Sequence, residues 1–294
     1  MNPILYELFN VLAPVAIVAA VGFGWARLRL PFDTAFVSTF TFNIATPVLI
    51  FSSLTKLHVD PAAVAELALA TFACSVSLIA VGTLVLKILR IPLRPFLTPV
   101  MVPNTGNMGL PVCLLAFGEQ GLALAVVVHV VSAAFQFTVG IAITAGTFSL
   151  KDFAKVPLIY SVGAALIVVE GGIELPRWIA NAAELIGQLA IPLMLLGLGV
   201  SLVSFRTGQI RQSLSVTATR LGLGFAAAWT AAWAFGLGHV QTGVLVLQMS
   251  MPAAVFTYMM AARYKCEPEG VAGIVFVSTL IGFALMPLTL LLVL

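Results

Sequence analysis

Charge is what this sequence has least of. Asp, Glu, Lys and Arg make up 9% of its 294 residues, where a soluble domain carries about 25%. That shortage excludes a soluble globular chain. The 61% hydrophobic content and a mean hydropathy of +1.12 point instead to an integral membrane protein. Cysteine is scarce as well. Cys74, Cys113 and Cys266 show no Cys-x-x-Cys or Cys/His spacing, so no metal site and no cofactor is expected. The basic residues are scattered through short loops and form no face for nucleic acid. A constellation for catalysis is also missing. Ser132, His129 and Cys113 stand at unrelated spacings, and no nucleophile, base and oxyanion set can be drawn from them. An enzyme is therefore not expected. The first apolar run has no basic region before it and no convincing cleavage site, so it reads as a first membrane helix rather than a removed signal peptide.

Long apolar runs are what the sequence does have. A bilayer-spanning helix needs roughly 20 mainly apolar residues. Ten candidates fit, over 5–26, 34–55, 62–87, 95–117, 120–147, 156–171, 181–204, 213–235, 240–262 and 269–293. The linkers between them are short, and no low-complexity segment is present. With ten spans the loops alternate sides. Arg27, Arg29, Lys87, Arg90, Arg94, Lys151, Lys155, Arg206, Arg211, Arg220, Arg263 and Lys265 then fall on one side. Lys56 and Arg177 fall on the other, which accounts for all 14 basic residues. The positive-inside rule makes the first side cytoplasmic and puts both termini outside the cytoplasm.

One stretch does not belong in hydrocarbon: Pro103-Asn-Thr-Gly-Asn-Met-Gly-Leu-Pro111, in the middle of the fourth span. Each proline removes a backbone donor, and each glycine weakens the helix. Freed backbone groups in lipid need partners inside the protein. If the helix breaks near 104–107, a new half-helix begins around Met108 or Gly109. Its first amide donors have no intrahelical partner and suit an anion. Thr105 and Asn107 are placed to cap that half-helix or to contact a ligand, and Asn104 offers a further donor. The ninth span repeats the pattern, with Gln248 and Ser250 before Pro252. These polar residues equally suit a purely structural task, satisfying the groups the prolines set free. No Asp, Glu, Lys or Arg falls firmly inside a span; Glu66, Glu119, Glu184 and Arg220 are read as lying near span ends, where they can snorkel.

The two halves resemble each other. Asn43-Ile-Ala-Thr-Pro47 in the second span aligns with Gln188-Leu-Ala-Ile-Pro192 in the seventh. Met108-Gly-Leu-Pro111 in the fourth aligns with Met249-Ser-Met-Pro252 in the ninth. An odd number of spans per half inverts the second half relative to the first. Paired broken segments in inverted halves point to a midplane site. Asn43 and Gln188 face that cavity or bond between helices. His129, in the fifth span, has a titration range suited to proton coupling, although a histidine bonded to a neighbouring helix is the plainer reading. Gly22, Gly24, Gly197 and Gly199 are expected at close helix contacts. Phe135, Phe137 and Phe256 line an apolar ligand wall or face core and lipid.

The motif at 103–111, the Met249-Ser-Met-Pro252-Ala stretch and the five-plus-five layout resemble the auxin efflux carrier family, in a short bacterial form. The resemblance covers essentially the whole chain. It implies an all-α membrane fold of ten helices in two inverted five-helix repeats, 1–150 and 151–294. It also implies a scaffold domain (helices 1, 2, 6 and 7) and a transport domain (helices 3–5 and 8–10), the latter holding the crossing of helices 4 and 9 at Pro111 and Pro252. Family members export or exchange small organic anions; plant members carry auxin, and bacterial ones include presumed malate and malonate carriers. The family's polar contacts correspond to Asn104, Asn107 and their neighbours. Two features depart from the plant pattern: the long loop between helices 5 and 6 is missing, and Glu66 has no lysine one turn on. The bile acid–sodium symporters share the crossed-helix architecture. The expected protein is thus a multi-pass inner-membrane secondary transporter of small carboxylates, with lipid and a second copy of itself, held through the scaffold, as partners. A sodium-coupled symporter and a membrane-embedded ligand sensor are the alternatives.

Overall fold

A chain this apolar has few choices in hydrocarbon, because every backbone donor and acceptor must be satisfied internally and the helix does so within one segment. The computed structural model describes residues 3–56, 61–146, 157–204 and 210–294. Its elements are helical throughout. In chain order they are α1 (Pro3–Arg27), α2 (Thr34–Phe40), α3 (Thr46–Thr55), α4 (Pro61–Ile88), α5 (Leu93–Met101), α6 (Leu110–Phe135), α7 (Ile141–Ala145), α8 (Pro157–Glu170), α9 (Arg177–Gln188), α10 (Ala190–Ser204), α11 (Ile210–Ala234), α12 (His239–Met249), α13 (Val255–Arg263) and α14 (Pro268–Val293). Wide π-type turns fill Thr41–Ala45, Thr105–Gly109 and Gln136–Gly140. The all-α expectation holds. Among the described residues the one β-type pairing is an isolated antiparallel bridge, Pro103 with Ala253. Lys151, Lys155, Arg206 and the boundary between 1–150 and 151–294 lie outside the described residues.

Among the described residues, six helical stretches are by length and composition apolar enough to cross a membrane: Phe9–Arg27, Thr34–Thr55, Ala62–Ile88, Thr105–Ala145, Arg177–Val203 and Pro268–Val293. This is a multi-pass membrane architecture. The expected fourth and ninth spans are interrupted, between α5 and α6 and between α12 and α13. The fourth stretch holds 41 residues. A straight helix of that length runs about 60 Å, twice a hydrocarbon core of about 30 Å. It is not straight: Gly118 has φ 64° and ψ −157°. A Cβ on Gly121 would meet the carbonyl oxygen of Cys113 at 2.6 Å, whereas eight residues of straight helix span about 12 Å. The chain therefore turns back at Gly118, separating 110–117 from 119–145.

Two of the three wide turns have a proline cause. A proline clashes with the carbonyl four residues before it. For Pro47 that residue is Asn43, inside the Thr41–Ala45 turn; for Pro111 it is Asn107, inside the Thr105–Gly109 turn. Pro192 acts on Gln188, where α9 ends and α10 resumes after Leu189. The Gln136–Gly140 turn has no such proline, but the Thr138 hydroxyl there donates to the Ala134 carbonyl at 2.6 Å, a bond that loosens helices.

Packing sorts the helices into neighbourhoods. α1 lies along α10, and α3 packs on α8 and α9. α4 packs on α11, which also meets α12 and α14, while α12 packs on α6. Glycine makes the first contact close. A Cβ on Gly22 would overlap the Leu196 carbonyl, and one on Gly199 would overlap the Ala19 carbonyl. Gly24 and Gly197 have open space instead. Two residues further along a helix a side chain points to the opposite face, so only one of each expected pair can meet the partner.

Candidate functional site

The site forms where two helices stop at the same place. α5 ends at Met101 and gives way to extended backbone at Val102; α12 ends at Met249, keeps a helical Ser250, and the chain is extended by Ala254. The Asn104 amide donates to the Pro252 carbonyl at 2.8 Å, and the Ala254 amide returns a bond to Val102 at 3.1 Å. An antiparallel bridge centred on residue 103 asks nothing of that residue's own N–H, so Pro103 fits there at no cost. The Ala253 amide points the other way and is taken by the buried Ser278 hydroxyl at 3.1 Å. Pro252 lies at the bridge as expected. Its carbonyl accepts from Asn104 while Pro103 pairs with Ala253; Pro111 sits in the first turn of α6, beyond the wide turn.

The expected polar residues take different places around the bridge. Asn104 is 3% exposed, and its side-chain Nδ2 is buried without a hydrogen-bond partner. Thr105 is equally buried and its hydroxyl pairs with His129 Nδ1 at 2.8 Å. Gln248 is fully buried; its Nε2 donates to the Ala125 carbonyl at 3.3 Å, and its Oε1 has no partner. That oxygen lies against Gly109, where any Cβ would overlap it. A side chain at 109 would have to displace the end of Gln248. The Ser250 hydroxyl is buried and unpartnered. Asn107 is half-buried in the wide turn. Asn43 does not join this group: it is exposed, and its Nδ2 donates to Thr39 in its own helix at 2.9 Å. Gln188 is likewise exposed, 3.4 Å from Glu184. An amide on the outer face of a helix bonds along that helix when no neighbour presents a polar group.

Of the three phenylalanines, Phe137 packs edge-on against Phe256 at 4.8 Å and against Phe42 at 5.2 Å. Phe135 sits on Phe72. The Phe42–Phe137–Phe256 cluster therefore joins two of the wide turns to the start of α13.

Arg220 corrects the expectation that no charge lies inside a span. It is fully buried, far from the ends of α11. Its Nη1 donates to the Val100 carbonyl at 2.7 Å, its Nε to Met251 at 3.2 Å, and its Nη2 to Met249. All three acceptors lie at or just beyond the C-terminal ends of α5 and α12. A spacing signal was present in the sequence: Ser213, Thr217, Arg220 and Gly224 repeat on one face of the helix, and all are buried. Gly224 leaves the room, because a Cβ there would crowd Arg220 Nη2 and the Met249 carbonyl.

The membrane transport protein family matches over residues 8–153 and 144–292, nearly the whole chain. The chain belongs to this family. It is the auxin efflux carrier family, so the resemblance carried by Pro103–Pro111 is borne out. Among relatives in the membrane transport protein family, an uncharacterized transporter of Methanocaldococcus jannaschii is 28% identical over 190 residues, 61% of each chain. An uncharacterized transporter of Methanothermobacter thermautotrophicus is 24% identical over 271 residues, 87% of this chain and 88% of that one. The match thus spans less than two thirds of the first relative and most of the second. Beside the crossing, this member of the family has a cavity of about 320 Å³ between α11, α12 and α14, lined by apolar side chains with Ser250, Met251 and Pro252 at its crossing end.

Proposed function

We propose that this chain is a secondary transporter of small organic anions, carboxylates such as malate, malonate or auxin-like acids, and that it works by alternating access. The observation that carries the reading is Asn104. Its buried, unpartnered Nδ2 donor lies at a crossing where two helical segments begin, and the first amides of such segments carry partial positive charge. Those donors suit a carboxylate. Glu66 and Glu119 are exposed. Asn107, Thr105, Gln248 and Ser250 complete the proposed lining. His129, bonded to Thr105, is the candidate for proton coupling, read from the pH dependence of flux.

In the proposed layout the chain crosses ten times as two inverted five-helix repeats. Support comes from matched irregularities: the wide turn before Pro47 and the helix break before Pro192, and the two reciprocal bonds of the bridge. The pairs α1 with α10 and α3 with α8 are also counterparts under such a repeat. The first, second, sixth and seventh spans form the scaffold, through which two copies associate. The remaining spans move with the site. The protein sits in the inner membrane with its basic loops in the cytoplasm and both termini outside. The test is uptake and export of labelled malate, malonate and indole-3-acetate in proteoliposomes. Saturable flux of at least one carboxylate is expected; a folded protein that moves none of them sinks the reading.

A further inference from the structure

The crossing gathers helix ends of both signs. The segments beginning at Thr105 and Val255 present amide donors; α5 and α12 end there and present carbonyls. In transporters with broken helices, half-helix C-termini and unwound carbonyls are where a coupling cation is held. Here three such oxygens, on Val100, Met249 and Met251, are already taken by the guanidinium of Arg220. The oxygens come from both broken helices, so one side chain ties the two together. Arg220 is fully buried and forms no ion pair with any described carboxylate. A buried guanidinium with no counter-ion is costly unless its hydrogen bonds are made. Charge-assisted bonds to oriented carbonyls are the compensation. An arginine keeps its charge where a lysine is readily neutralised by burial.

We propose that Arg220 is a built-in cation: it permanently fills the carbonyl cage of the crossing that would otherwise take a free monovalent cation, so the protein binds its anion without sodium there. The transport part of this rests on the reading above; the cage itself does not, because it exists in the protein without substrate. The fixed charge also leaves the amide-lined side of the crossing electropositive with no lysine or arginine touching the anion.

The experiment uses the purified full-length protein with no carboxylate present. Thermal unfolding in detergent is followed in sodium, potassium and choline chloride at equal ionic strength. Wild type should melt at the same temperature in all three. Arg220→Ala should melt roughly 10 °C lower, three buried carbonyls having lost their donor. Ethylguanidinium at millimolar concentration should recover at least half of that loss, while ethylurea, of the same shape but neutral, should recover none. Should Arg220→Ala fail to fold, Arg220→Lys and Arg220→Gln decide, melted at pH 6 so that the buried lysine keeps its proton: the charged variant should melt well above the neutral one. A sodium-specific shift in wild type, ethylurea acting as well as ethylguanidinium, or equal melting of the Lys and Gln variants overturns the proposal. A wild type that carries a carboxylate only with sodium removes the cage and keeps the anion reading. A sodium-indifferent wild type that moves no carboxylate does the reverse.

Discussion

Asn104 is the residue on which structural and functional roles part most cleanly. Its backbone N–H donates in the bridge and its carbonyl accepts from the wide turn, whatever the side chain is, while Nδ2 has no partner inside the protein. A buried donor without a partner costs free energy, so removing it does not destabilise the empty protein. Asn104→Ala should therefore leave the melting temperature of the unliganded protein unchanged or slightly raised. Carboxylate affinity should fall between roughly tenfold and a hundredfold, the worth of one hydrogen bond to a charged group. Ligand-dependent thermal shift reads both at once, and a large drop without ligand would assign Asn104 to structure instead. The polar residues around Asn104 were legible because asparagine, threonine and glutamine have no other business in an apolar run. What was not legible is contact. Gly109 beneath Gln248, and Ser278 on the Ala253 amide, are tertiary meetings that no spacing encodes. Arg220 was misplaced for a different reason: a long side chain near a span end is read as snorkelling, although its helical face was already marked by Ser213, Thr217 and Gly224.

At the scale of elements, breaks decide the architecture more than helices do. The prolines at 47, 111 and 192 each disturb the helix about one turn earlier, as ring geometry requires, so these irregularities could be read in advance. The turn at Gly118 falls where the sequence already separates the spans 95–117 and 120–147, but its backbone form could not be read. It interrupts an apolar stretch without proline, and only a left-handed φ with extended ψ separates 110–117 from 119–145. That backbone region belongs essentially to glycine and costs other residues about 1 to 3 kcal/mol. Space is not the obstacle, since nothing lies within 4 Å of a Cβ at Gly118. Gly118→Ala should consequently lower the melting temperature by several degrees, at roughly 2–4 °C per kcal/mol. Gly24→Ala, also in open space but with helical φ, should have no such effect. Equal effects of the two would mean that the strain at Gly118 is relieved by its neighbours.

For the whole molecule, the asymmetry of charge and the geometry of helix ends point the same way. α1, α4 and α13 each lead into a basic residue in the left-handed region: Arg29 at φ 56°, Arg90 at 56° and Lys265 at 50°. That position favours glycine sterically, and glycine takes it after α7, α8 and α11, at Gly146, Gly172 and Gly236. A cation at a helix C-terminus is favoured by the dipole. On the proposed ten-span layout the three cations all fall on one face while the glycines fall on both, and a dipole that acts equally at both faces cannot explain that. The positive-inside rule does explain it, because only cytoplasmic loops gain from the charge. On the proposed layout Leu28, 73% exposed beside Arg29, and Ile173, 50% exposed beside Gly172, lie across the membrane from each other. Single Leu28→Cys and Ile173→Cys variants, in a Cys266→Ser background, should separate with a membrane-impermeant maleimide. Ile173→Cys should label in intact cells, and Leu28→Cys only after permeabilisation. Labelling of both on one side would break the alternation of spans and, with it, the inverted relation between the two halves of the crossing.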